Sequence, residues 1–164
     1  MVSIPAWLAV LIVIAVIVLV VGLVASATAQ RLNRLHVRCD LARLSLESAL
    51  GRRGAVARAA HPELGELVRA AEALPLTAED TGARADVENR LTAELDRLGY
   101  EGAPAPLVIE LHEARIRVEL ARRFYNDAVG DTRALRRRPI VRWLRLAGTA
   151  PRPGFFDVAA PAGE

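Results

Sequence analysis

The chain has 164 residues with 22 basic and 19 acidic side chains, a formal charge of +3, and no charged residue before Arg31. All the basic side chains are Arg and the only thiol is Cys39, so an internal disulfide is excluded. The small net charge hides an asymmetry: residues 31–131 hold 15 Arg against 17 acids, whereas 132–164 hold 7 Arg against Asp157 and Glu164, which makes the tail the part suited to an anionic partner.

From Ile4 to Val24, Ile, Leu or Val occupies 15 of 21 positions. A helix of that length reaches about 31 Å, matching a hydrocarbon core of about 30 Å. The sequence therefore predicts a short outer N-terminus at 1–3 and a transmembrane anchor at 4–27. Ala25-Ser26-Ala27 and Ala27-Thr28-Ala29 offer small-x-small cleavage sites. A secretory signal, however, has a basic n-region and an apolar core of about 7 to 15 residues, so an uncleaved anchor is expected and a signal-cleaved exported helical protein is the alternative. Arg31, Arg34 and Arg38 precede the first acid, Asp40. The positive-inside rule then places the C-terminal domain in the cytoplasm, on a single span through the plasma (inner) membrane, with Trp7 as an outer interfacial anchor.

Helical periodicity dominates the chain beyond the span. Leu32, Leu35, Cys39, Ala42, Leu46 and Ala49 alternate steps of three and four directly out of the span, so the first soluble helix is the anchor continued. Gly51 and Gly54 weaken it and Pro62 bends or ends it, leaving 63–73 as its continuation or a short separate helix. Thr77 and Asp80 resemble a capping box opening a helix whose apolar stripe is Ala83, Val87, Leu91, Leu95 and Leu98, ended by Gly99. From Leu107 through Leu111, Ala114, Val118, Ala121, Tyr125, Ala128, Thr132 and Leu135 runs an unbroken heptad seam, with Pro104 and Pro106 before it and Pro139 after it.

The fold class is therefore all-α: a transmembrane helix continuing into an elongated antiparallel bundle of three long helices over 28–138, with a dimeric coiled coil as a competing use of the seams. Residues 139–164 form a basic, apolar segment and a disordered tail. If the three helices run out, back and out again, Leu135 falls at the membrane-distal end, and Ile140, Trp143, Leu144 and Phe156 are expected to pack there. Arg142, Trp143 and Arg145 are the candidate contact, for an acidic partner protein or for anionic lipid, because Trp and Arg are enriched at hot spots and bilayer interfaces. Nucleic acid is not expected, since no DNA-binding motif or aromatic-rich basic surface accompanies them.

Catalytic and metal-binding patterns are sparse. His36, His61 and His112 lie on different segments, and Asn33, Arg58 and Ile109 stand where a Glu-x-x-His di-metal motif needs Glu. No HExxH, P-loop, GxGxxG or CxxC is present. Glu110 and Glu113 share a helix face at acid/base spacing, although solvated carboxylates are far commoner. Cys39 reads as a small buried thiol, Tyr125 as a packed ring whose hydroxyl reaches solvent or a backbone carbonyl, and Asn126 as a structural amide or a recognition group.

The stretch Ala121-Arg122-Arg123-Phe124-Tyr125-Asn126-Asp127-Ala128-Val129 resembles the ARR-x-YN-x-x-V signature in the last long helix of the LemA family of bacterial membrane proteins. Ala121, Arg122, Arg123, Tyr125, Asn126 and Val129 carry the match. The order of a single span, a long helix, the Glu88-Asn89-Arg90-Leu91 run, a late proline and Phe155-Phe156 agrees with it, whereas Leu50-Gly51-Arg52-Arg53-Gly54-Ala55-Val56 departs from the family's apolar-Pro-Asn segment. The resemblance implies an elongated helical bundle on one span and supplies no established enzymatic activity. The expectation is a non-enzymatic scaffold with no cofactor and an unidentified protein partner; a catalytic or metal-binding bundle is the alternative.

Overall fold

The computed structural model describes residues 5–77, 80–99, 102–144, 146–148 and 151–157, which contain helices and turns and no strand. Five α-helices follow one another: α1 (Ala6–Ala60), α2 (Gly65–Glu72), α3 (Thr81–Leu98), α4 (Ala105–Arg136) and α5 (Pro139–Trp143), with a 3-10 turn at Pro62–Leu64 between α1 and α2.

No proline interrupts the 55 residues of α1, so the apolar segment and the first core helix are one rod about 82 Å long. Its N-terminal part is the one helix among the described residues long and apolar enough to cross a membrane, and none of its most apolar 18-residue window is buried in the protein. Burial begins at Leu32 and continues through Cys39, Leu46 and Leu50. The rod stops at His61, whose φ of −134° leaves the helix ahead of Pro62 while its N–H still donates to the Ala57 carbonyl at 2.8 Å. Helix α2 then folds back as a separate element. Gly54 is needed for this, because a Cβ there would lie 3.0 Å from Val68 Cγ1.

The start of α3 has the expected reciprocal contact: the Asp80 N–H donates to Thr77 Oγ1 at 3.1 Å and the Thr77 hydroxyl donates to Asp80 Oδ2 at 2.8 Å. Gly99, at φ 61°, closes the helix in the left-handed region. Ala85 near the beginning of α3 packs with Leu46, Leu50 and Tyr125, and Leu91 and Leu95 further along pack with Val56, Ala57 and Leu111. Helix α3 therefore runs in the same direction as α1. Of its expected stripe, Ala83 is exposed; Arg84, Ala85 and Glu88 are buried in its place.

Helix α4 returns. Arg52 pairs with Glu110 near one end and Arg38 with Asp131 near the other, so α4 is antiparallel to α1. The expected seam is buried from Leu111 to Leu135, with Leu107 half-buried. Among the described residues, α4 packs along α1 over most of its length, where the small side chains of Ala42, Ala49, Ala114, Ala121 and Ala128 line the contact. Helix α3 meets α1 through the Arg53–Glu88 pair and through Leu91 and Leu95 packed against Val56 and Ala57.

This topology corrects the expected position of the tail. Leu135 and Val141 pack on Leu32, with Leu35, Ile140, Leu146 and Ala147 around them, next to the apolar segment and not at the far end. The reason is parity: α2 and the stretch after it bring the chain back, so α3 leaves again and α4 ends where α1 emerges. Trp143 is 86% exposed, and Phe156 is buried in a different cluster from Ile140. Residues 151–157, expected within a disordered tail, instead lie as an extended strap along α4.

Candidate functional site

Two polar constructions lock the helices together. In the first, Glu88 of α3 bridges two arginines. Arg53 of α1 donates to Glu88 Oε2 at 2.5 Å and to Thr92 Oγ1 at 3.0 Å, and Arg84 donates from Nε to Glu88 Oε1 at 2.9 Å. Arg84 also donates to the carbonyls of Ala71 and Leu74. The Glu88 side chain is 1% exposed, that of Arg53 4% and that of Arg84 10%. Burying such charges costs several kcal/mol per ion, offset only when each lone pair is engaged. Glu88 meets that condition, whereas Arg53 Nε is buried without an acceptor. The carboxylate has no free face, so the triad fastens α3 and the α2–α3 link to α1.

In the second, the strap 151–157 is held by α4. Tyr125 Oη donates to the Gly154 carbonyl at 2.9 Å, Arg133 Nε to Pro153 at 2.8 Å and Arg136 to Pro151 at 2.9 Å. Asn126 donates to the Phe156 carbonyl and accepts from its N–H. Arg133 also lies 4.5 Å from the Phe155 ring centroid, a cation–π distance, and Phe156 is fully buried. Gly154 passes Thr81 closely enough that a Cβ would touch it at 3.4 Å. Beside the strap lies an open groove of about 590 Å³ lined by Arg38, Asn126, Asp127, Gly130, Asp131 and Phe155.

The signature residues thus fall into distinct places. Ala121 and Val129 are buried, Tyr125 and Asn126 hold the strap, Arg122 pairs with Glu119 at 2.6 Å, and Arg123 is exposed. The hydrogen bond from Arg122, assisted by its charge, holds the Glu119 carboxyl below its ordinary range. Arg142 and Trp143 are exposed, and Arg145 lies outside the described residues.

No family model, curated protein or solved structure matches this chain.

Among the described residues, no three His, Cys, Asp or Glu side chains converge as a metal site. Glu110 and Glu113 do not act as a pair: Glu110 is engaged by Arg52 and Glu113 by Arg117 at 3.2 Å. His61 is buried with Nδ1 3.7 Å from Glu63, and His112 is exposed. Burial pushes the Cys39 thiol up, with Asp40 adding to it, and burial likewise raises the Tyr125 hydroxyl.

A third feature is apolar. Leu41 and Leu44 of α1 and Ile116, Leu120 and Phe124 of α4 are each more than half exposed. At about 100° per residue, Leu44 and Phe124 lie half a turn around their helices from Arg53 and Arg115, which reach Glu88 and Asp96 of α3, and Leu41, Ile116 and Leu120 lie about 100° to 140° from them. The stripe therefore occupies the face of the α1–α4 pair turned away from α3.

Proposed function

We propose that this protein is a non-enzymatic, single-pass membrane scaffold. The anchor at 4–27 holds an elongated, LemA-like bundle at the cytoplasmic face of the inner membrane, where it docks a protein partner. The observation that carries this reading is the set of Leu41, Leu44, Ile116, Leu120 and Phe124, aliphatic and aromatic side chains left more than half exposed on helices whose other side is packed into the core. Several large apolar side chains exposed on one side of a domain rich in charge mark an interaction site. The nine-residue signature in α4 and the apolar helix at the N-terminus support the family likeness and the anchor.

Photo-crosslinking in intact cells tests it. A benzophenone side chain at Leu120 is expected to trap a discrete adduct, and the same group at Arg90, on the exposed side of α3, to trap none. Identical patterns at the two positions would remove the basis for a docking face.

A further inference from the structure

We propose that the corner between α4 and α5 is a second membrane contact, in which Trp143 seats at the bilayer interface and Arg137, Arg138 and Arg142 bind the phosphates of anionic lipid headgroups. This rests on reading 4–27 as the anchor, and it holds for either orientation of the chain.

The geometry brings the corner to the bilayer. Leu32 lies eight residues past Val24, where the apolar stretch ends, about 12 Å along the helix axis; with a headgroup layer about 5 to 7 Å deep on each side, it stands about 5 to 7 Å outside that layer. Val141 is 1% exposed against Leu32 and Leu135, with Ile140 and Leu146 packed beside it, so α5 is fixed to α1 just outside the headgroups, where long Arg side chains and the Trp143 indole can extend to them. Helix α4, antiparallel to α1, has its axis aimed at the membrane. It stops at Arg136, the chain turns through Arg137 and Arg138, and Pro139 opens α5. The turn diverts the chain before α4 reaches the bilayer and keeps these arginines on its outer side.

The side chains left uncovered at this corner match an anionic interface. Trp143 is 86% exposed, more than any other large apolar side chain among the described residues. An indole with an apolar body and an N–H donor is suited to the headgroup boundary. Arg31, Arg34, Arg137, Arg138 and Arg142 are exposed and have no acidic partner among the described residues, and Asp131, the acid nearest in sequence before Leu135, is already engaged by Arg38. Five arginines, joined to the span through Leu32 and Leu135, are thus available to acidic lipid, with no acidic partner among the described residues.

The experiment uses the full chain in vesicles, because its two tryptophans, Trp7 and Trp143, report the two readings separately. In a Trp7→Phe variant, Trp143 emission is expected to be quenched by lipids carrying a shallow nitroxide. Quenching should be at least twofold stronger in phosphatidylglycerol than in phosphatidylcholine vesicles, and that excess should fall with added salt. Arg137→Ala with Arg138→Ala and Arg142→Ala should abolish the excess, and the matching triple Lys variant should restore it. In a Trp143→Phe variant, Trp7 reports the anchor. Quenching of Trp7 without quenching of Trp143 overturns this inference and leaves the anchor standing, whereas quenching of neither overturns both. Equal quenching of Trp143 in the two lipids, unaffected by the triple Ala variant, overturns the assignment of the arginines.

Discussion

The side-chain amide of Asn126 and the backbone of Phe156 exchange two hydrogen bonds: Nδ2 donates to the Phe156 carbonyl at 3.0 Å, and the Phe156 N–H donates to Oδ1 at 2.8 Å. One amide side chain thereby stands in for a neighbouring strand, satisfying both polar groups of an extended residue whose ring is fully buried. Asn126→Ala should leave both groups unpaired and cost about 1 to 3 kcal/mol. Phe156→Ala should cost about 3 to 5 kcal/mol by opening a cavity among Leu46, Leu50 and Leu76. Urea unfolding of the two variants checks this, and an unaltered midpoint for Asn126→Ala would mean that packing alone retains the strap.

Removing one member of the buried triad should be worse than removing all of it. Glu88→Ala leaves Arg53 and Arg84 buried without their shared acceptor, a loss of about 3 to 5 kcal/mol. Replacing all three, as Arg53→Met, Arg84→Met and Glu88→Leu, should recover much of that loss. Thermal melts of the single and triple variants decide it; a triple variant as unstable as the single one would show that the charges contribute net stability.

Helix α4 is legible in the sequence because its seam is apolar at nearly every heptad position, and the long first helix is legible for the same reason. In α3 the buried stripe begins one position away from the apolar one, because its inward face is partly ionic. Arg84, Glu88, Leu91, Leu95 and Leu98 keep the same alternation of four and three, and Arg53 continues the α1 seam four residues after Ala49, so the signal is present for a reader willing to put charges in a core. The position of the tail depends on whether 63–73 reverses the chain, a matter of how Gly54 and Val68 meet in three dimensions and invisible to periodicity. The strap has no pattern of its own. Its partners, Tyr125 and Asn126, stand out as polar groups on or beside a seam, which reveals that they have a role without revealing the partner.

Alkaline pH should destabilise the domain. Burial raises the Cys39 and Tyr125 groups above their ordinary values, so the folded state holds both protons after the unfolded chain has begun to release them. Their contribution is complete below about pH 8.5, where an ordinary thiol titrates, and is lost as pH rises through the thiol range and then past about 10 for the phenol. The melting temperature measured from pH 8 to 11 should fall, and the fall should be shallower in Cys39→Ser with Tyr125→Phe. Parallel curves for the variant and the parent would exclude these two groups as its source.

Orientation can be read directly. In a Cys39→Ser background, Gly163→Cys should resist a membrane-impermeant maleimide in intact cells and react once they are lysed. Labelling before lysis would place the bundle on the outer side.

The rod formed by α1 extends about 54 Å from Val24 to Ala60 and contains no joint at which an inclination could be absorbed. A span tilted by about 20°, the average for transmembrane helices, would carry its far end sideways by about 18 Å. Helix α4, packed along most of the rod, would travel with it. Lipid thickness, by setting that tilt, would thus sweep the turn at 61–64 through an arc wider than a helix, with the α5 corner at the base acting as the foot that limits the swing.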